Sequence, residues 1–279
     1  MSFLKKRPKI FFNIAIFLLA FAFLSAFSFA HEETVESFHD NAKQMSVWIV
    51  AAASVIITIF VITSILIKKK SEALKWVLVA GIIAPSILTT VYIAGSTIYL
   101  NSVSETKGPV HWHADFEIWD CGEKIDLVNP KGLLNRVGTA TFHEHGDDRM
   151  HVEGTIYKKS SIDLHSFFEV VNGQLENDYF AVPTDNGIAQ MRNGQKCGEE
   201  EGKLQAFLYR ITNPNAYSKS GFVYEQVKLE NFEDHILAPY INIPPGDCII
   251  LEFGPEKDFT DRICESYKVA ILRGDIEQG

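Results

Sequence analysis

The first 100 residues contain three long apolar runs separated by short polar segments. The first run lies within residues 1–30, where it follows a basic head and ends in small residues. This order is typical of a secretory signal peptide, and an uncleaved transmembrane helix is the alternative. The other two runs, residues 47–67 and 76–100, contain no charged residue and can cross a hydrocarbon layer about 30 Å thick. They predict a transmembrane hairpin over residues 47–100.

The segment between the two spans predicts their orientation. Residues 68–75 read KKKSEALK, and short loops rich in lysine and arginine stay on the cytoplasmic side of a membrane. We therefore expect a multi-pass protein of the cell membrane with a cytoplasmic loop at residues 68–75. Residues 31–46 are then a short extracytoplasmic segment, and residues 101–279 form an extracytoplasmic domain.

Beyond residue 100 the apolar positions alternate with polar ones over short stretches. The stretches HADFEIW and EKIDL flank the dipeptide CG and predict a β-hairpin, and TATFHEH and MHVEGTIY flank GDDR and predict a second one. The later stretches KLQAFLYRI and YINIPPGDCIILEFG predict further strands, the latter with a turn at Pro245 and Gly246.

One stretch of the domain has helical spacing instead. In SSIDLHSFFEVVNG, the residues Leu164, Phe168 and Val171 recur at the period of a helix with one buried face. Ser160 or Ser161 is the predicted cap, and Gly173 is the predicted end. Strands, one packed helix and more strands predict an α+β domain that is mainly antiparallel.

Charge excludes one class of function. The chain has a net charge of −9 at pH 7, and eight of its 26 basic residues lie in the N-terminal basic head and the loop at residues 68–75, the two segments predicted to face the cytoplasm. The exported domain is therefore acidic, whereas phosphate contacts need a positive surface. We expect no nucleic-acid partner. The predicted partners are the membrane and a metal ion, and no protein partner is indicated.

The four cysteines all fall inside the predicted extracytoplasmic domain, at Cys121, Cys197, Cys248 and Cys264. An even number of cysteines in an exported domain predicts two disulfides, for which three pairings are possible. A zinc site built from cysteines is the competing interpretation. The chain contains no Cys-x-x-Cys pair, which favours the disulfides.

Five of the nine histidines lie in two short segments, HWHADFEIWDCGEKIDL and HEHGDDRMHVEG. Residues two apart on a strand share a face, so His111 and His113 are expected to be neighbours in one row with Asp115 and Glu117. The alternate residues of this strand are apolar and suit a core. By the same rule His143 and His145 share a face. His151 and Glu153 share a face on the returning strand, and His145 opposes His151 if that hairpin pairs positions of equal parity.

Neutral imidazoles are ligands for zinc, copper, nickel and iron, and a site needs three or four donors. Zinc or copper is the favoured ion. The carboxylates Glu144 and Asp147 are further candidate ligands or orienting groups. The alternative is a set of exposed strand histidines that share no ion. His165 and His235 are predicted to be structural. The predicted metal ligands are His111, His113, His143, His145, His151, Asp115 and Glu153.

Taken together, these motifs resemble a set of membrane-anchored bacterial and archaeal proteins whose activity is not established. The shared motifs here are HWHADFEIWDCGE, HEHGDDRMHVEG, LHSFF and DCIILEFG, spread over most of residues 111–254. The resemblance implies a membrane-anchored domain of the same kind and names no activity. The order of two strands, a helix and two strands is also similar to that of β-grasp domains.

Three functions fit these observations. The first is a membrane-tethered domain that captures or senses a transition metal outside the cell. The second is a metal-dependent hydrolase or oxidoreductase with Glu144 or Glu153 as base, although the chain has no His-Glu-x-x-His helix, nucleophile elbow or phosphate loop. The third is a structural or partner-binding domain, in which a metal only stabilises the fold or has no functional role.

Overall fold

The computed structural model describes residues 35–133, 135–216, 221–239 and 246–279, with side chains from residue 41 onwards. Residues 1–30, which carry the predicted signal peptide, lie outside the described residues. So does most of the turn predicted at Pro245 and Gly246. The chain divides into two compact units, Met1–Val103 and Ser104–Gly279.

The first unit contains two long apolar helices, α1 (Val35–Leu66) and α2 (Glu72–Val103). Their apolar portions have mean hydropathies of 2.7 and 2.1, and both are long and apolar enough to cross a membrane. Only 6% of the residues in the most apolar window of each helix are buried, so most of the apolar surface of each helix is not covered by protein within the described chain.

Both helices are longer than the apolar runs. Within the described residues α1 covers Val35–Leu66, because the polar residues before the run are helical too. Helix α2 begins at Glu72, and the hydroxyl of Ser71 accepts a hydrogen bond from the amide of Leu74 at 3.2 Å. The segment joining the helices is therefore shorter than residues 68–75. Pro85 lies inside α2 without ending it.

The second unit is an α+β domain, as predicted. A nine-stranded sheet has the order β14-β12-β11-β13-β1-β5-β4-β3, with β2 paired to β1. The pairs β1–β13 and β12–β14 are parallel, and the other pairs are antiparallel. The strands of this sheet are β1 (Pro109–Asp120), β2 (Glu123–Ile125), β3 (Val137–Gly138), β4 (Phe142–Glu144), β5 (Arg149–Thr155), β11 (Lys203–Ile211), β12 (Phe222–Leu229), β13 (Cys248–Gly254) and β14 (Ile276–Gln278).

Five further strands form two smaller sheets. One is a meander in the order β6-β7-β8, and the other is the pair β9–β10. These strands are β6 (Gln174–Leu175), β7 (Tyr179–Thr184), β8 (Gly187–Arg192), β9 (Lys196–Cys197) and β10 (Glu200–Glu201).

The two predicted hairpins are confirmed. Strands β1 and β2 pair around Cys121 and Gly122, whose φ angles of 48° and 88° are the positive values that a two-residue hairpin turn requires. Strands β4 and β5 form the second hairpin.

The predicted helix is confirmed as α3 (Leu164–Val170), but its predicted cap is wrong. The side chain of Asp163 accepts the amide of Ser166 at 2.7 Å and begins the helix, whereas Ser160 and Ser161 belong to a 3₁₀ turn. Helix α3 ends at Val170 and is capped by Val171, two residues before the predicted Gly173.

A second helix of the domain, α4 (Glu265–Arg273), was not predicted. It ends at Gly274 in the left-handed conformation, with a φ angle of 73°. Glycine is common in this position at the end of a helix, so Gly274 was the sequence signal that could have indicated α4. The helix is short and carries charged residues between its apolar ones, so its helical periodicity is weak.

The main sheet has a core on each face. On one face, Phe116 and Met150 pack with Phe167, Phe168 and other residues of α3 and the β6–β8 meander. On the opposite face, helix α4 covers Phe207, Ile250 and their neighbours with its fully buried Tyr267. The histidine side chains of β1, β4 and β5 point to this second face.

The four cysteines form two pairs at disulfide distance, as predicted. The structure selects Cys121 with Cys197, at a Cα separation of 5.3 Å, and Cys248 with Cys264, at 5.8 Å. The first pair joins the β1–β2 turn to β9. The second joins β13 to the residue that caps α4, so it ties this helix to the sheet.

Candidate metal centre

Three adjacent strands bring the histidines together. The strand order β1-β5-β4 places His151 of β5 directly between His113 of β1 and His143 of β4, which are its Cα partners on either side. The predicted pairing of His145 with His151 is therefore wrong. The hairpin does pair positions of equal parity, but His143 lies opposite His151. The carboxylate of Glu144 accepts the amides of Asp147 at 2.6 Å and Asp148 at 3.3 Å, and this centres the turn on residue 147.

The five histidines form two groups of three that share His151. One group is His111, His113 and His151, and the other is His143, His145 and His151. Within each group the potential ligand nitrogens all lie within 4.8 Å of one another. Three donors at such distances are a sufficient protein contribution to a zinc or copper site.

The first group is the more open to solvent. The Nε2 atoms of His111 and His113 are 2.9 Å apart, and the ring centroids of His113 and His151 are 4.6 Å apart. A carboxylate oxygen of Glu153 lies 3.2 Å from Nε2 of His111, and the two side chains are 42% and 57% exposed. Glu153 is therefore placed to bind an ion in this group or to orient His111.

The second group is the more deeply buried. His143 is 2% exposed, and its ring centroid is 4.8 Å from that of His145. The Nδ1 atom of His145 donates a hydrogen bond to the carbonyl of Asn135. This bond orients the ring and leaves the Nε2 lone pair available for a metal ion.

Several buried ring nitrogens in the cluster have no hydrogen-bond partner among the described residues. These atoms are Nδ1 of His143 and both nitrogens of His151. A carboxylate oxygen of Asp147 lies 3.5 Å from Nε2 of His151, close to this nitrogen but outside hydrogen-bonding geometry. Leaving a buried polar atom unpaired costs about 1 to 3 kcal/mol, so three of them in one cluster need an explanation. A metal ion would provide the missing partner.

The surroundings favour the neutral, metal-binding form of these rings. Burial lowers the pKa of His151 from 6.5 to about 4. Burial also lowers the pKa of His143, and burial followed by the nearby His111 and Arg149 lowers the pKa of His113. Protons therefore compete weakly with a metal ion at neutral pH.

Asp115, predicted as a ligand, lies outside both groups. Its side chain is 8% exposed, and it accepts a hydrogen bond from Nε of Arg149 at 2.7 Å and another from the hydroxyl of Ser266 in α4. Glu117 is also buried, and it accepts the indole N–H of Trp119. The polar row of β1 is therefore open at its histidine end and covered at its carboxylate end.

The other candidate residues have separate partners. Glu144 closes the β4–β5 turn, and so it positions His145 and Asp147. His165 donates from Nδ1 to the carbonyl of Leu175 at 2.8 Å, and His235 lies 3.0 Å from the buried carboxylate of Asp247. Both contacts agree with the structural roles predicted for His165 and His235.

Two residues of the site were not found from the sequence. Arg149 shares the face of His151 two positions earlier in the same strand, so strand parity could have indicated it. Asn135 contributes a backbone carbonyl from a loop, and no sequence signal indicates that contact.

No protein-family model, curated protein or solved structure matches this chain. Its function is therefore inferred from the chemistry of the histidine cluster.

The metal-free protein should lose stability as the pH falls from 6.5 towards 4. The unfolded chain protonates His151 near 6.5, while the folded chain resists protonation until about 4, so acid favours the unfolded state within this window. The loss from this residue is up to about 3 kcal/mol, at 1.36 kcal/mol per pKa unit. Urea unfolding of the metal-stripped full chain at several pH values measures it. A His151→Leu variant should show a shallower loss, and an equal loss in both proteins would assign the effect to other groups.

Proposed function

We propose that this chain is a membrane-anchored protein whose extracytoplasmic domain binds a transition-metal ion through its histidine cluster. The observation that supports it most is the set of unpartnered, buried ring nitrogens of His143 and His151, surrounded by three further imidazoles. If these were simply exposed strand histidines that share no ion, their rings would point into solvent and their nitrogens would bind water. Zinc or copper is the ion that an imidazole site favours.

Capture or sensing of the ion fits the site better than a purely structural role. A structural zinc site fills all four positions with protein ligands, whereas each group here offers three imidazoles, and His111 is exposed. An open position allows the ion to enter and leave. The same opening, with Glu153 beside it, is the feature that favours a metal-dependent hydrolase as the second candidate.

The proposal is tested by the metal content of the full chain, purified in detergent with an affinity tag free of histidine. After incubation with zinc or copper and removal of unbound ions, wild-type protein should retain metal, and His151→Ala should retain almost none, because both groups lose their shared member. His165→Ala is the matched control, since this exposed ring has one backbone hydrogen bond. His235 is less suitable because it pairs with the buried Asp247. Wild-type protein that is folded and binds neither ion would refute the proposal.

The proposed topology places the loop between α1 and α2 in the cytoplasm and the α+β domain outside. A membrane-impermeant maleimide applied to intact cells should label Leu272→Cys, at a position that is 86% exposed, and leave Ser71→Cys unlabelled until the cells are permeabilised. The four native cysteines are paired and provide little background. Labelling at Ser71→Cys with protection at Leu272→Cys would reverse the orientation.

A further inference from the structure

The ring of His151 occupies a shared position between two sets of ligands. Strand β5 lies between β1 and β4, and the centroid of this ring is 4.6 Å from that of His113 on one side and 4.8 Å from that of His145 on the other. The centroids of His143 and His111 are 5.4 Å and 6.2 Å away. Four imidazoles therefore surround a fifth.

A single ion does not fit all five rings. Ligand nitrogens bound at 2.0 to 2.1 Å to one tetrahedral ion lie about 3.4 Å apart. Among the described residues the histidines form two compact groups, and neither group combines His111 or His113 with His143 or His145. The geometry therefore offers two ion positions.

Both nitrogens of His151 are available. A histidine that binds one ion usually donates its other ring N–H to a carboxylate or carbonyl, as His145 does to Asn135. His151 has no such acceptor in hydrogen-bonding geometry, and both of its nitrogens are buried without a partner. A ring that bridges two ions requires this condition, because both of its nitrogens then bind metal.

We propose that the histidine cluster is a two-ion centre, in which the ring of His151 bridges one ion held by His111 and His113 and a second held by His143 and His145. This inference rests on the proposed function. The neutral ring carries one proton. When the second nitrogen–metal bond forms, the N–H bond breaks and the proton passes to solvent, with no change in the oxidation state of either ion.

Carboxylates beside the cluster suit the added positive charge. Glu153 lies 3.2 Å from His111, and Asp147 lies 3.5 Å from His151. Two divalent ions and one deprotonated ring bring three positive charges into a cluster with few cationic neighbours. The two carboxylates partly neutralise that charge, and they offer oxygen ligands if either ion takes more than three donors.

Copper provides the test because its unpaired electrons report the bridge. The full chain in detergent is stripped of metal and titrated with Cu(II), and copper per chain is compared with the electron paramagnetic resonance intensity at low temperature. We expect two coppers per wild-type chain and a signal well below the total copper, because an imidazolate bridge couples the two spins. His111→Ala and His145→Ala should each bind one copper with full signal intensity. His165→Ala should behave as wild type.

The outcomes separate this inference from the proposed function. Wild-type protein that binds no copper or zinc refutes both. One copper per chain at saturation refutes the two-ion centre and leaves metal binding intact. Two coppers with full, uncoupled intensity refute the bridge. Each protein is also measured with the added substitution His31→Ala. Cleavage of the predicted signal peptide after residue 30 would make His31 the N-terminal residue, and an N-terminal histidine chelates copper through its amine and imidazole.

Discussion

Adding zinc or copper to the metal-stripped protein should raise the thermal unfolding midpoint of the α+β domain by roughly 10 °C. A ligand at 1,000 times its dissociation constant stabilises the folded state by about 4 kcal/mol. For a domain of 150 to 250 residues each kcal/mol corresponds to about 2 to 4 °C. Here a bound ion would also supply partners for buried nitrogens that have none among the described residues.

Differential scanning calorimetry of the full chain measures this shift, with His165→Ala as the control that should keep it. His151→Leu should abolish it. Without metal, His151→Leu should be at least as stable as wild type, because the substitution removes two buried nitrogens that lack hydrogen-bond partners. Such nitrogens destabilise the folded state, a loss of stability that is typical of functional sites. A full metal-induced shift in His151→Leu would show that the ion binds elsewhere.

Strand periodicity predicted much of this site. It placed His111 and His113 on one face and the alternate, apolar residues of the strand in the core, where Trp112 and Phe116 are buried. The same rule grouped His143 with His145. Side-chain direction in a strand depends on local geometry alone, and so it can be read from a short segment.

The arrangement across strands was not predictable in the same way. The register of β4 and β5 depends on Glu144 closing the turn, and a shift of two positions exchanged His143 for His145 opposite His151. The position of β5 between β1 and β4 is a tertiary feature. Burial of Asp115 depends on α4, which lies some 150 residues later in the chain and is held by the Cys248–Cys264 pair. Contacts over such distances leave no local pattern.

The covered and open halves of this sheet face explain why similar residues differ in role. Asp115 and Glu117 continue the row of His111 and His113, yet both carboxylates are buried, Asp115 under Ser266 of α4, whereas His111 and His113 stay accessible. In the covered half, Asp115 pairs with Arg149 and Glu117 accepts the indole N–H of Trp119. The open half keeps neutral rings whose pKa values burial has lowered. The boundary between the halves is the ion pair of Asp115 with Arg149.

Arg149→Leu should lower the free energy of unfolding by about 3 to 5 kcal/mol at pH 7.5, because it leaves a buried carboxylate without its cation. Burial raises the pKa of Asp115, and the bonds from Arg149 and Ser266 oppose that rise. Without Arg149 the pKa should rise further. The deficit should therefore be fully present above the raised pKa and shrink as the pH falls and the carboxyl becomes neutral.

Urea unfolding of the metal-free full chain measures the loss, and Arg210→Leu is the matched control. Arg210 pairs with Glu225 at the same distance of 2.7 Å, but the two side chains are 52% and 41% exposed, so its loss should be about 0 to 1 kcal/mol. Asp115→Asn should recover part of the stability of Arg149→Leu, since the double variant buries no charge. Equal losses for the two arginine variants would contradict a buried pair.

Asp115→Asn should also keep the full metal content, because Asp115 belongs to neither histidine group. A fall in bound metal with the fold intact would make Asp115 a ligand after all.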